Sequence, residues 1–195
     1  MKSQSLYAKR STCKFGMIEV LYLGHVISAQ GVQVHQEKIQ EILDWSPPKT
    51  LSELREFLGL CSYYGSYVKG FSQLGAPLID LTKKGSFYLN VQVQQTFDKL
   101  KEVMSTCSVL VLLDFTRPFI LECNASREGI GAVLMQDHHP IAFESWKLSG
   151  VEQFYSIYDK EMLAIMHTLT KFRQYLVGAK FVVRTNHNSL RYFLE

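Results

Sequence analysis

Cysteine is scarce in this chain, and no two cysteines lie close together. Cys13, Cys61, Cys107 and Cys123 are widely spaced, with no C-x-x-C. That excludes a disulfide framework and argues against a zinc site; reduced, partly buried thiols of an intracellular protein, in cytoplasm or nucleus, are the expectation. No apolar run approaches the roughly 20 residues that span a bilayer, so no membrane partner is expected. The basic start, MKSQSLYAKRSTCKFG, lacks an apolar segment and so does not read as a secretory signal. Strong charge is missing too. A net charge of +3 excludes a polycation and supports nucleic-acid binding only weakly. Neither internal repeats nor low-complexity segments occur. What remains, 195 residues at 47% hydrophobic and 20% charged, is the composition of one or two globular domains with a real core.

The pattern along the chain divides. Ile18–Val34 reads as two short strands with a turn at Gln30-Gly31. Glu37–Trp45 reads as a short helix, with Ile39, Ile42 and Leu43 on one face, stopped by Pro47-Pro48. Thr50 and Glu53 form a capping box for a helix running to about Tyr67. Leu54, Phe57, Leu58, Cys61 and Tyr64 line its apolar face. Gly59, Ser62 and Ser66 form a stripe of small residues that suits either another helix or a nucleic-acid backbone. Ser72–Thr82 and Val91–Cys107 read as further helices, with Pro77 near the start of the first or marking a break in it. Beyond residue 108 the pattern turns to strands. In the hairpin Phe119–Gln136 the first strand alternates with period two, the chain turns through Ala125–Gly129, and Ile130, Ala132, Val133 and Leu134 resume a strand; Gly129 and Gly131 permit a close backbone approach or a positive φ. Strand Pro140–Ser145, a long helix Tyr155–Leu176 capped by Gly178, and strand Phe181–Thr185 follow.

One acidic residue is out of place. The long helix carries an apolar stripe of Met162, Ile165, Leu169, Phe172 and Leu176, and Glu161 falls within about 20° of Phe172 around the axis. A glutamate at the edge of such a stripe either reaches solvent from the first turn or is held by a partner such as a metal.

The hairpin, with Cys123-Asn124-Ala125-Ser126 followed by Gly129, Gly131, Ala132, Val133 and Leu134, resembles the T-D-A-S-x-x-G-x-G-A-V-L segment in the RNase H domain of gypsy-type LTR retrotransposon reverse transcriptases. Lys160–Ala164 is similar to that family's K-E-L-L-A, and Thr185–Leu190 to its T-D-H-x-S-L. Leu54–Leu60 with Ser62-Tyr63-Tyr64 and Phe71 resembles the R-x-F-L-G-L-x-x-Y-Y-R-x-F segment of the thumb, with Gly65 where the family has arginine. Tyr22–Ser28 looks like the end of the palm.

The resemblance implies an α+β fold: palm-like strands over 1–35, a helical thumb-like module over 36–108, and an RNase H-like mixed α/β domain over 109–195, truncated at its C-terminus. It also implies RNA-directed DNA synthesis and two-metal hydrolysis of RNA in RNA–DNA hybrids as the family's activities, with Mg²⁺ as cofactor. The Y-x-D-D motif of the polymerase lies upstream of this chain in the family. Of the four metal-binding carboxylates, the chain keeps Glu161, has Asn124 and Asn186 at two aspartate positions, and ends before the fourth. Asparagine offers an oxygen without the charge, and ion–carboxylate attraction amounts to several kcal/mol. Glu161 alone is then left as a weak ligand or none, no cation is bound tightly, and the chain is catalytically inactive. Glu122, Glu128 and Asp159 are poor replacements, and His187 suits a cap better than a general base. The expected alternatives are a module that retains weak affinity for hybrid or DNA through Lys69, Lys83, Lys84 and Arg184, and a protein-interaction scaffold without an identified partner.

Overall fold

The computed structural model describes residues 9, 13–83, 87–88 and 90–185. The chain opens with an antiparallel meander, β1 (Glu19–Tyr22), β2 (His25–Ser28) and β3 (Gly31–Val34), in that order. Three strands therefore stand where the sequence suggests two. The extra turn is Leu23-Gly24, with φ of 48° and 79°, the paired positive values of a tight hairpin. A leucine in that region signals nothing in the sequence; tertiary contact imposes it. Tyr64 packs on Gly24 so closely that a Cβ there would strike its hydroxyl, and Tyr63 donates to the Leu23 carbonyl (3.3 Å).

Four helices follow: α1 (Gln36–Leu43), α2 (Leu51–Tyr63), α3 (Phe71–Asp80) and α4 (Val91–Ser105). The α2 start is capped as the sequence suggests, Thr50 accepting from the Glu53 N–H, though the Glu53 carboxylate reaches back to Lys49 rather than Thr50. After α2 the chain tightens into a 3₁₀ turn, Gly65–Tyr67. Pro77 neither starts nor breaks α3 but lies inside it. Among the described residues the small-residue stripe packs against no helix: Gly59, Ser62 and Ser66 are all exposed, and nothing described lies within 4 Å of a Cβ built on Gly59. The apolar faces of the four helices converge on Ile42, Leu54, Phe57, Leu78, Phe97, Leu100 and Met104, with the Phe57 and Phe97 rings 4.5 Å apart.

A second core lies under a four-stranded sheet. Its order is β6 (His139–Lys147), β5 (Gly129–Gln136), β4 (Phe119–Ala125), β7 (Phe181–Thr185). The first three strands are antiparallel, and β7 pairs parallel to β4 after a crossover through α5 (Ile157–Lys171) and α6 (Arg173–Leu176). The single long helix of the sequence reading is thus two. Thr168 and Thr170 donate back to the Ala164 and Met166 carbonyls, contacts that bend a helix, and the buried Phe172 forms the break. In β4, Phe119, Leu121, Cys123 and Ala125 point into this core, while Ile120, Glu122 and Asn124 face the other way.

That other face meets the helical module. Ser72 at the start of α3 donates its N–H to Ser145 Oγ (2.7 Å) and its hydroxyl to the Ser145 carbonyl (2.6 Å). Lys147 pairs with Asp80 at the far end of α3 (2.5 Å). The stretch 109–113, apolar enough for a strand, is a strap instead. Leu110 forms a bridge with Val32, and Val111 donates to the Pro140 carbonyl (2.9 Å). No helix among the described residues is long and apolar enough to cross a membrane.

Candidate functional site

Ser156 starts α5 by accepting from the Asp159 N–H, which places Glu161 in the second turn, above the ends of β4 and β7. The ridge that α5 turns to the sheet is Glu161, Ala164, Thr168 and Phe172, with Leu163, Ile165 and Leu169 as its flanks. The apolar stripe of the sequence is therefore rotated, and Glu161 stands on the buried ridge rather than at its margin. It is 3% exposed, which excludes the solvent-reaching alternative. One carboxylate oxygen accepts from the Ala125 N–H (3.0 Å), the other from the Thr185 hydroxyl (3.0 Å). Glu161 thus ties the end of β4 to the end of β7. Beneath it the Cys123 thiol is pushed up to about 11, first by burial and then by the Glu161 charge.

Asn124 precedes Ala125 on β4, opposite Gly131 of β5, and is exposed. It shares its face with Glu122, whose carboxylate pairs with Arg184 of β7 (3.4 Å). Asn186 and His187, directly after Thr185, lie outside the described residues. The Asp159 carboxylate is engaged by the Ser156 hydroxyl at the start of α5 (2.7 Å), and Glu128 is exposed in the hairpin turn, so neither serves Glu161 as a replacement.

Between the exposed sheet face and the start of α3 lies an open cleft of about 1090 Å³. Lys69, Gly70, Gln73 and Leu74 form one wall; Glu122, Asn124, Gly131, Val133, Arg184 and Thr185 belong to the other. The structure thus brings together Lys69, Arg184 and Asn124. Lys83 stands apart, at the other end of α3, where it and Lys147 share Asp80 and hold that carboxyl below its usual range. Lys84 lies outside the described residues.

The donor set does not fit two divalent cations. Such a pair calls for several converging carboxylates. Among the described residues no group of three or more His, Cys, Asp or Glu side chains converges. The Glu161 carboxylate already accepts a hydrogen bond on each oxygen.

Sequence reasoning missed Gln73. Its Nε2 donates to the Ile130 carbonyl (2.8 Å), and its Oε1 is buried in the joint with no partner among the described residues. Gly129 admits it: a Cβ there would lie 2.6 Å from Gln73 Nε2 and 2.7 Å from the Trp146 carbonyl. The two glycines of the hairpin therefore differ, since nothing lies within 4 Å of a Cβ on Gly131. No local pattern marks Gln73, because its partner is 57 residues away.

A mixed sheet of order β6-β5-β4-β7, crossed by a helix whose glutamate braces two parallel strand ends, is an RNase H-like arrangement. Residues 114–195 match the family model described as the RNase H-like domain found in reverse transcriptase. The chain is similar to Pol polyproteins of transposons. It is 34% identical to the retrovirus-related Pol polyprotein from transposon 297 of Drosophila melanogaster, over 92% of this chain and 17% of that protein. To the transposon Tf2-3 polyprotein of Schizosaccharomyces pombe it is 35% identical, over 97% of this chain and 15% of that protein. It thus spans less than a fifth of the length of these curated relatives. Among solved structures, the foamy viral protease-reverse transcriptase in complex with RNA/DNA hybrid matches 90% of this chain and 25% of its own, with a TM-score of 0.83 and 22% identity. The dRH form of that protein in complex with double-stranded DNA matches at a TM-score of 0.84, over 90% of this chain and 32% of its own. At 22% identity these likenesses speak for the fold.

Proposed function

We propose that this chain is a segment of a gypsy-type retrotransposon Pol polyprotein in which the RNase H-like domain has lost hydrolysis and holds nucleic acid instead. In this reading residues 1–35 are the end of a palm, 36–108 a thumb-like module and 109–195 the RNase H-like domain, working inside the cell. The observation that carries the proposal is the state of the strand ends. Glu161 is sealed between Ala125 and Thr185, and the neighbouring position on β4 is the neutral Asn124. A single carboxylate used as a structural brace cannot anchor two Mg²⁺ ions or activate water between them. What remains on the open face is a cleft with Lys69 on one wall and, on the other, Arg184 in an exposed pair with Glu122 that a backbone phosphate can displace at little cost. The complexes formed by the foamy viral relatives with hybrid and with double-stranded DNA support that direction.

The test uses the purified 195-residue chain. In Mg²⁺ or Mn²⁺ it leaves the RNA strand of a labelled RNA–DNA hybrid intact. At low salt it binds that hybrid, and the affinity falls steeply as salt is raised. Cleavage that disappears in Glu161→Gln would overturn the loss of hydrolysis. Absence of binding at the lowest salt would overturn the binding role.

A further inference from the structure

Leu110 packs in the helical core and Val111 against the core under the sheet, so the chain passes from one to the other at a single peptide link. Each side of that link is anchored to its own body. Leu110 exchanges two backbone hydrogen bonds with Val32 of β3 (2.7 and 2.9 Å), and Val111 donates to the Pro140 carbonyl of β6 (2.9 Å). Of the sheet's described apolar residues, Phe143 alone packs against the helical core. Among the described residues, the side-chain bonds across the joint all lie along α3: the two between Ser72 and Ser145, Gln73 Nε2 on the Ile130 carbonyl, and Lys147 on Asp80. A polar joint between two separately cored bodies is one that moves. Gln73 weighs against the closed position. Gly129 admits its side chain closely, and Oε1 is then buried with no donor among the described residues. A buried acceptor without a donor destabilises the state that buries it, and lifting α3 off the sheet returns this one to water.

We infer that the helical module and the sheet form a two-position clamp: the bodies hinge at Leu110–Val111, α3 lifts from β5 and β6 as a unit, and the buried Gln73 oxygen keeps the closed position only weakly favoured. Lys69, Gly70 and Leu74 move with α3, while Asn124 and Arg184 stay with the sheet, so opening parts the walls of the cleft and sets access to it. The opening requires no ligand and does not depend on the binding role proposed above.

Native-state hydrogen exchange on the full chain, with no nucleic acid present, tests this. The Ser72 N–H lies in the first turn of α3, where the helix supplies no acceptor, and Ser145 Oγ across the joint holds it, so it exchanges when the joint opens. The amides of Leu100 in α4 and Leu134 in β5, one buried in each core, report unfolding of either body. Ser72 exchanges at least about 100-fold faster than both. Gln73→Met has similar length and no buried acceptor, and it slows Ser72 exchange about tenfold. Lys147→Met removes the ion pair with Asp80 at the far end of α3 and speeds Ser72 exchange about threefold. Leu100 and Leu134 keep their rates in both variants, which also establishes that both are folded. Exchange of Ser72 at the rate of Leu100 or Leu134 overturns the clamp, as does Gln73→Met with Ser72 unchanged or faster. Lys147→Met with Ser72 unchanged overturns the lifting of α3 as a unit.

Discussion

Replacing Glu161 separates a brace from a catalytic remnant. In Glu161→Ala the Ala125 N–H loses its acceptor at a position where Ala125 and Glu161 are both buried. An unpaired buried donor costs about 1–3 kcal/mol. The lost side-chain volume beside Ala164 and Thr168 adds about 1 kcal/mol. The Thr185 hydroxyl is half-buried and can turn to water, so it adds little. Against these stands relief from burying a carboxylate, about 1–2 kcal/mol at a site with two donors already in place. The net is a destabilisation of about 2 kcal/mol, which shifts a urea midpoint by about 1 M for a slope near 2 kcal/mol/M. Glu161→Gln keeps the shape. Its oxygen can accept from Ala125, and its amide can donate to the Thr185 hydroxyl once that rotates, so the loss stays below about 1 kcal/mol. Urea unfolding by circular dichroism, with hydrogen exchange at the Ala125 amide, reads both. An alanine variant as stable as the parent, or a glutamine variant worse than alanine, would refute the brace.

Three further outcomes follow from the geometry. Gly129→Ala forces a Cβ against the Trp146 backbone and destabilises by about 1–3 kcal/mol, while Gly131→Ala, with open space around it, stays within about 0.5 kcal/mol; thermal unfolding of the pair checks the difference. His25 lies among the rings of Tyr63, Tyr64 and Tyr67, with Nδ1 3.1 Å from the Tyr67 hydroxyl, and burial lowers its pKa from the ordinary 6.5. The unfolded chain then takes up the proton first. The contribution of His25 is therefore full above pH 6.5 and is lost as pH falls through its lowered folded value, and His25→Phe flattens that part of the pH–stability curve. Burial, the dominant cause at each, pushes the thiols of Cys61, Cys107 and Cys123 up to about 12, 11 and 11, so thiol reagents at neutral pH label all three slowly in the native chain and rapidly in denaturant.

Much of the local structure is legible in the residues. The first strand of the hairpin Phe119–Gln136 follows from its alternation, α2 from its threonine cap, and β7 from the strand-like run Phe181–Thr185, though not its parallel pairing with β4. The failures share a cause. Leu23-Gly24 turns because Tyr63 and Tyr64 hold it there, not because its residues favour a turn. The α5 ridge is rotated because Ala164 and Thr168 are small enough to approach the sheet, so the largest apolar residues are not the most buried. At the candidate site, Asn124 and Glu161 can be picked out by type and spacing, but the hydrogen bonds that occupy both oxygens of Glu161 cannot. Gln73 and Gly129 acquire their roles only where the helical module meets the sheet, through partners far away in sequence.

The central claim is that the two strand ends are held together by one hydrogen-bonded glutamate and carry no anionic cage. Paramagnetic broadening of amide resonances during a Mn²⁺ titration tests it most directly, with the chain compared with its Asn124→Asp/Asn186→Asp double variant. The account predicts that the Ala125 and Thr185 amides of the parent chain stay sharp at Mn²⁺ concentrations that erase them in the double variant. Equal loss of those signals in the parent chain would contradict it.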